Sequence, residues 1–138
     1  MNARRARGAA GFSLVEVLVS LVILSIALLG SAALTATSLK NTNTSYYRSQ
    51  ATVLADDILD RMRANIAAAR GEQYDISDGP TYTAASGSMA RYDCTEWIAT
   101  LGQTLPDGTG TVAVFNGVAT IVIKWDNGAS SFTTVSQL

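Results

Sequence analysis

The sequence predicts an α+β fold in which one long N-terminal helix packs on a small antiparallel β-meander. Three observations predict it: an apolar run over residues 12–36, an amphipathic helical stripe after that run, and two hairpin signals near the C-terminus. A helix followed by closely spaced strands is typical of a layered fold whose helix covers one face of the sheet. The chain has 138 residues, which leaves enough for one modest head once the apolar run is set aside.

The first part of the predicted helix is apolar on all sides. Residues 12–36 contain a single charged side chain, Glu16. Since a helix of about 20 apolar residues crosses a bilayer, we predict a transmembrane segment over residues 12–37. An ionisable group inside such a segment is rare and costly, and it indicates a functional position.

The distribution of charge predicts the orientation of this segment. The basic residues Arg4, Arg5 and Arg7 precede it, whereas from Phe12 onward 7 Lys and Arg face 11 Asp and Glu. Basic flanks favour the cytoplasmic side, so we place the N-terminus in the cytoplasm and residues from about 38 onward outside. The acidic body lacks the clustered basic patch of a nucleic-acid-binding face, and we predict no direct contact with nucleic acid.

The second part of the helix is amphipathic. Its apolar positions recur at steps of three and four, as expected for a helix with one buried face: Tyr47, Ala51, Leu54, Ile58, Met62 and Ile66. No proline lies between Phe12 and Gly79. We therefore predict one helix from about Phe12 to about Arg70, ended by Gly71.

The C-terminal region changes to the periodicity of strands. Asn116-Gly117 and Asn127-Gly128 are strong signals for two-residue hairpin loops, which would pair Phe115 with Val118 and Asp126 with Ala129. In that register one apolar sheet face would lie against the stripe of the long helix. Its members are Val112, Val114, Ala119, Ile121, Ile123, Trp125 and Phe132.

Between these parts we predict a loop and a short second helix. Residues 71–88 are rich in Gly, Ser, Thr and Asp and indicate a loop with room for a short strand. Asp93 with Glu96 three residues later resembles a capping box, although a start near Ser88 is also open. The helix would end at Gly102, with one shared face: Cys94, Trp97, Ile98 and Leu101.

The residue types argue against catalysis and cofactors. The chain has no histidine, so no Ser/His/Asp or Cys/His arrangement can form, and we predict no enzyme activity and no cofactor. The single cysteine, Cys94, excludes an intrachain disulfide and is expected to be a small buried hydrophobe.

The loop acids match no dedicated calcium loop, so we predict no metal site and interpret them as solvated turn residues: Asp75, Asp78 and Asp107. The helix acids Asp56, Asp57 and Asp60 are expected on a solvated face, and Trp97 and Trp125 in the core.

Simpler interpretations of the apolar run do not account for Glu16. A secretory signal peptide has a basic start and an apolar middle, but a carboxylate in that middle would hinder it, and this run continues into a helix. A plain signal anchor explains the length and not the acid. A lipoprotein would need a cysteine at the end of the run, where none is present.

The segment Gly11-Phe12-Ser13-Leu14-Val15-Glu16, after a short basic leader, resembles the type III signal of type IV pilins and type II secretion pseudopilins. The resemblance implies cleavage between Gly11 and Phe12 by prepilin peptidase, methylation of the Phe12 amine, and a role for Glu16 in subunit assembly. It divides the chain into a leader, residues 1–11, a transmembrane and filament-core helix, residues 12–37, and a periplasmic pilin-like head, residues 38–138.

This implied role for Glu16 has a physical reason. A carboxylate near the cytoplasmic end of the anchor can be offset by the Phe12 amine of a neighbouring subunit. An unpaired buried charge is costly, so the pair would select the register between helices. Small residues would help the helices pack closely: Ser25, Gly30, Ser31, Ala32 and Ala33.

Other features resemble minor rather than major pilins. Major pilins typically carry a proline in the apolar half and a C-terminal disulfide loop, and this chain has neither. The short helix with Trp97, the Leu-Pro-Asp-Gly turn and the strand ending in Lys-Trp-Asp are similar to PilV-type minor pilins. That likeness implies a structural subunit that joins other minor pilins, the major pilin and the inner-membrane assembly machinery. It would start in membrane lipid and end in the pilus, at the tip.

Two alternatives remain. One is a minor pseudopilin of a type II secretion system. The other is a periplasmic binding or enzymatic domain held by an uncleaved anchor.

Overall fold

The computed structural model describes residues 11–79 and 81–138. It confirms the α+β prediction, because a long N-terminal helix packs with a five-stranded antiparallel sheet. The described chain divides into two compact units, one ending at Thr42 and the other running from Asn43 to Leu138. The predicted leader falls outside the described residues except for Gly11.

The long helix, α1, spans Leu14–Ala64, and a short helix, α2, spans Ile66–Arg70. The single predicted helix to Arg70 is therefore wrong in one respect, because it is interrupted at Asn65 (φ −124°, ψ 51°). The main-chain N–H of Asn65 donates to both the Arg61 and Met62 carbonyl oxygens, at 3.1 and 3.2 Å. A shared donor of this kind is common where a helix ends.

The end of α2 is near the predicted stop, but the residue in the left-handed conformation is not the glycine. Gly71 has φ −86°, whereas Glu72 has φ 60°. Gln73 N donates to the Ala68 carbonyl at 3.0 Å and Glu72 N to the Ala69 carbonyl at 3.1 Å. These two bonds form a Schellman motif with glutamate at the position where glycine is preferred.

The predicted apolar stripe forms the core face of α1. Its central members Ala51, Leu54, Ile58 and Met62 are buried, together with Ala55 and Leu59, whereas Tyr47 and Ile66 at its ends are half-buried.

The sheet contains the predicted meander and two further short strands. The strands are β1 Ile76–Ser77, β2 Thr81–Tyr82, β3 Thr109–Phe115, β4 Val118–Trp125 and β5 Ser130–Gln137. Their order is β2-β1-β3-β4-β5, with every pair antiparallel. The short strands arise from the predicted loop, since Ile76 pairs with Val112 of β3.

The predicted hairpin register is confirmed. Phe115 pairs with Val118, and the β4–β5 ladder closes at Trp125 and Ser130. One residue further, Ala129 N donates to the Asp126 carbonyl at 3.0 Å, so the predicted pair closes the turn. The predicted apolar face is buried at six of its positions, and Phe132 packs against it half-buried; the six are Val112, Val114, Ala119, Ile121, Ile123 and Trp125.

The second helix, α3, spans Met89–Thr104. The predicted start at Asp93 is wrong and the alternative start is right, because the Ser88 hydroxyl caps the helix by accepting from Arg91 N at 3.1 Å. The predicted end at Gly102 is also wrong, since the helix continues for two residues and ends before Leu105. Trp97 is buried as predicted, and its indole donates to the Leu54 carbonyl of α1 at 2.8 Å.

Candidate assembly site

The predicted processing residues lie just ahead of α1. Gly11, Phe12 and Ser13 precede the first helical residue, and Phe12 is 83% exposed. The Ser13 carbonyl accepts from Glu16 N at 3.0 Å and from Val17 N at 3.2 Å, which closes the first turn. The Gly11–Phe12 bond, whose cleavage stays a prediction, is therefore outside the helix.

Glu16 lies exposed in the first turn of α1. Its carboxylate has no hydrogen bond or ion pair with any residue in the described ranges 11–79 and 81–138. The position is favourable in one respect, because the partial positive charge of a helix N-terminus stabilises an acid there. The pairing of Glu16 with a Phe12 amine joins two subunits and stays a prediction.

The surface around Glu16 is apolar and uncovered. Every residue from 11 to 46 is exposed, and α1 is long and apolar enough, by length and composition, to cross a membrane. Four of its hydroxyl groups are satisfied within the helix, since Ser20, Ser25, Thr35 and Thr37 each donate to the carbonyl four residues earlier. This arrangement is the one that lipid requires, because hydrocarbon offers no hydrogen-bonding partner.

A charged cluster in the head was missed by the sequence prediction. The Arg61 guanidinium contacts Glu96 at 2.8 Å, Asp57 at 3.1 Å and Asp93 at 3.5 Å. The hydrogen bond to Glu96, more than any other contact, raises the pKa of Arg61 above its ordinary value. The cluster thus joins α1 to α3, and Asp57 belongs to it rather than to a purely solvated face.

Asp93 is the buried member of this cluster, at 5% exposure. It accepts a hydrogen bond from the Tyr74 hydroxyl at 2.6 Å. Burial, followed by this bond, raises the pKa of Tyr74 to about 12. A signal was present in the sequence, because Asp93 lies four residues before Trp97 and next to Cys94, on the apolar stripe of α3.

The loop acids have separate structural roles. Asp75 is half-buried and accepts from Val114 N at 2.8 Å, so its interpretation as a solvated turn residue is wrong. Burial raises the pKa of Asp75, and the bond from Val114 opposes that shift. Asp78 pairs with Lys124 at 3.3 Å, and Asp107 occupies a turn with φ 52°. Within the described ranges, no group of three or more Cys, Asp or Glu side chains is placed to hold a metal ion.

Cys94 is a free and fully buried thiol, as predicted. Its Sγ donates to the Tyr74 carbonyl at 3.8 Å. Burial raises the pKa of the Cys94 thiol to about 12, so it stays protonated and unreactive at neutral pH.

Comparison with known families gives one match. Residues 6–32 match the family described as "Prokaryotic N-terminal methylation motif". No curated protein and no solved structure matches the chain. The matched motif supports a type IV pilin-like or pseudopilin protein, and it implies processing by prepilin peptidase and use of a pilin assembly machinery.

Proposed function

We propose that this chain is a PilV-type minor pilin, a structural subunit of the type IV pilus that acts with other minor pilins to start assembly. The observation that carries the proposal is the methylation motif over residues 6–32, which includes the first part of the exposed apolar helix that begins at Leu14. The matched range contains Arg7 of the leader together with Gly11, Phe12 and Glu16.

The exposed state of Glu16 supports an assembly role. A carboxylate on an apolar helix is costly in a bilayer, and within the described chain no cation offsets it. The ammonium group that processing creates at Phe12 of a neighbouring subunit supplies the missing charge. Bundling of helices thereby removes both the acid and the apolar surface from lipid, and mismatched registers leave the acid unpaired.

Two sequence features favour a minor over a major subunit. Cys94 is the only cysteine and is buried, so no disulfide closes the C-terminal region. No proline lies in the apolar half of α1. We place the processed protein in the inner membrane with its head in the periplasm, and then at the pilus tip.

A minor pseudopilin of a type II secretion system is the second candidate, because the motif is common to both assemblies. The neighbouring genes distinguish the two, since minor pilin genes favour the first and secretion genes the second.

The deciding experiment is the N-terminal chemistry of the native protein, recovered from membranes and from sheared filaments. We expect mass spectrometry to find methyl-phenylalanine at position 12 as the first residue. A native chain that still begins with its arginine-bearing leader would refute the proposal and favour a domain on an uncleaved anchor.

Substitution of the acid tests the assembly step. We expect Glu16→Ala to insert into the membrane normally, because the apolar run is unchanged, and to lose incorporation with partner subunits in a pull-down. Ser20→Ala is the matched control on the next turn, since the Ser20 hydroxyl bonds only the Glu16 main-chain carbonyl, at 2.6 Å. Normal incorporation of Glu16→Ala would contradict the role assigned to the carboxylate.

A further inference from the structure

The head contains an open pocket between α1 and α3 with a volume of about 360 Å³. Its lining residues are Arg61, Ala64, Asn65, Met89 and Asp93, all within the unit Asn43–Leu138. Ala64 and Met89 provide an apolar wall, and Met89 is 63% exposed. The volume lies in the range of small binding sites, about 300–1,000 Å³.

The charge beside this wall is unbalanced. One guanidinium, Arg61, is surrounded by the carboxylates of Asp57, Asp93 and Glu96, so one positive charge meets three negative charges. The side chains of Asp57 and Glu96 remain 41% and 48% exposed, so the excess negative charge is open to solvent. Arg61 therefore contributes to the pocket as part of an anionic cluster.

Two other nearby arginines are engaged elsewhere. Arg63 pairs with Asp60 at 3.0 Å, and Arg91 lies 4.0 Å from the centre of the Tyr82 ring. The Asp60 carboxylate offsets the charge of Arg63, whereas the ring contact leaves the charge of Arg91 in place. Arg61 and Arg91 therefore face the three carboxylates of Asp57, Asp93 and Glu96, and one excess negative charge remains beside the pocket.

Asn65 adds an acceptor to the wall. Its side-chain nitrogen donates to the Tyr74 hydroxyl at 3.4 Å, and among the described residues no donor reaches its side-chain oxygen. Asn65 lies at the interruption between α1 and α2, and it lines the pocket together with residues of α1 and α3. An apolar wall, a free acceptor and excess negative charge together suit a side chain with an aliphatic stem and a cationic head.

We propose that this pocket receives a lysine or arginine side chain presented by a neighbouring subunit. The stem packs on Ala64 and on the adaptable Met89 side chain, and the head donates to Asn65. The head is attracted by the Asp93 carboxylate in the lining and by the exposed carboxylate of Glu96, which contacts the lining residue Arg61 at 2.8 Å. The assignment of the partner as a sibling subunit rests on the proposed function, whereas the chemistry of the pocket does not.

A titration of the full-length protein in detergent micelles tests the chemistry. The probes are N-acetyl-lysine methylamide and its uncharged analogue N-acetyl-norleucine methylamide, and the reporter is the methyl resonance of Met89, with that of the fully buried Met62 as internal reference. We expect the lysine probe to shift Met89 saturably, to bind at least tenfold more tightly than the norleucine probe, and to weaken as salt screens the charges.

Paired substitutions locate the binding. Ala64→Phe fills the pocket from an exposed position and is expected to weaken the lysine probe at least tenfold. Ala99→Phe adds the same side chain at an exposed position of α3 outside the lining and is expected to change nothing. Equal binding of the two probes, equal effects of the two variants, or no saturable shift of Met89 would overturn the proposal.

A photo-crosslinking residue at position 89 tests the partner in cells. Crosslinking to another pilin-like subunit, reduced by Ala64→Phe and not by Ala99→Phe, is the expected result. A retained leader together with normal probe binding would refute the proposed function and leave the pocket chemistry intact. A methylated Phe12 together with failed probe binding would refute the pocket alone.

Discussion

The substitution Gly110→Ala tests the packing of α3 on the sheet. Gly110 is buried in β3 beneath α3, and a Cβ there would lie 2.5 Å from Trp97 Cη2 and 2.6 Å from Leu101 Cδ1. Carbon atoms in contact normally lie about 3.5–4.0 Å apart. Trp97 and Leu101 are both fully buried, so neither can turn away without moving other core residues.

The expected cost is at the upper end of the range for overpacking. An added methyl group in a close-packed core costs about 1–3 kcal/mol, and overlaps of about 1 Å with two immobile side chains indicate about 3 kcal/mol. With an m value of about 2 kcal/mol/M, the urea midpoint falls by about 1.5 M. The fluorescence of Trp97 and Trp125, the two tryptophans of the chain and both in the core of the head, reports the transition in micelles.

Gly102→Ala is the matched control, because it adds the same methyl group to α3, the helix that packs over Gly110, at a position with open space. Gly102 is exposed within α3, and a Cβ there would meet only the Gly108 carbonyl oxygen, at 3.9 Å. Since glycine weakens a helix interior, this variant is expected to gain about 0.5–1 kcal/mol. A Gly110→Ala protein within 0.5 kcal/mol of the parent, or two variants that change stability with the same sign, would refute the packing described for α3.

Two further predictions concern the head. Glu72→Gly is expected to raise the free energy of unfolding by about 0.5–1 kcal/mol, because residue 72 has φ 60° and glycine adopts that conformation without a steric penalty; unchanged or lower stability in urea would contradict it. Alkaline pH is expected to destabilise the head, since burial raises the folded pKa of both Cys94 and Tyr74 to about 12 from 9.0 and 10.0. The stabilisation is complete below pH 9 and is lost as pH rises towards 12, and the thiol contributes on the order of 4 kcal/mol of that loss. Urea unfolding of Cys94→Ala should therefore show a flatter dependence of stability on pH between 9 and 12. An unchanged slope in that variant would contradict the role given to the buried thiol.

The success and failure of the individual predictions have a common physical basis. The stripe of α1 and the register of β3 and β4 follow from periods of 3.6 and 2 and from the Asn116-Gly117 loop, which all depend on residues close together in the chain. The start of α3 was ambiguous because Ser88 and Asp93 are both good capping residues. In the structure Ser88 caps the helix, whereas the Asp93 carboxylate contacts Tyr74 and Arg61, which are distant in sequence.

The interruption at Asn65 and the two short strands had no strong local signal. Residues 71–88 look like a loop, and Ile76 becomes part of a strand only because Val112 lies beside it. The anionic cluster likewise needs residues far apart in sequence, since Asp93 contacts both Arg61 and Tyr74. The one indication of this cluster in the local sequence is that Asp93 lies on the apolar stripe of α3.

The sequence by itself determined a helix apolar and long enough to cross a membrane, the methylation motif over residues 6–32, and the unusual position of Glu16. These features are contiguous in the chain, and their chemistry does not depend on the fold of the head. Only the tertiary structure decided that Asp93 is buried, that Arg61 is held by three carboxylates, and that a pocket opens beside Met89. Those properties arise from contacts between distant segments, whose free energy depends on which surfaces the packed helices and sheet exclude from water.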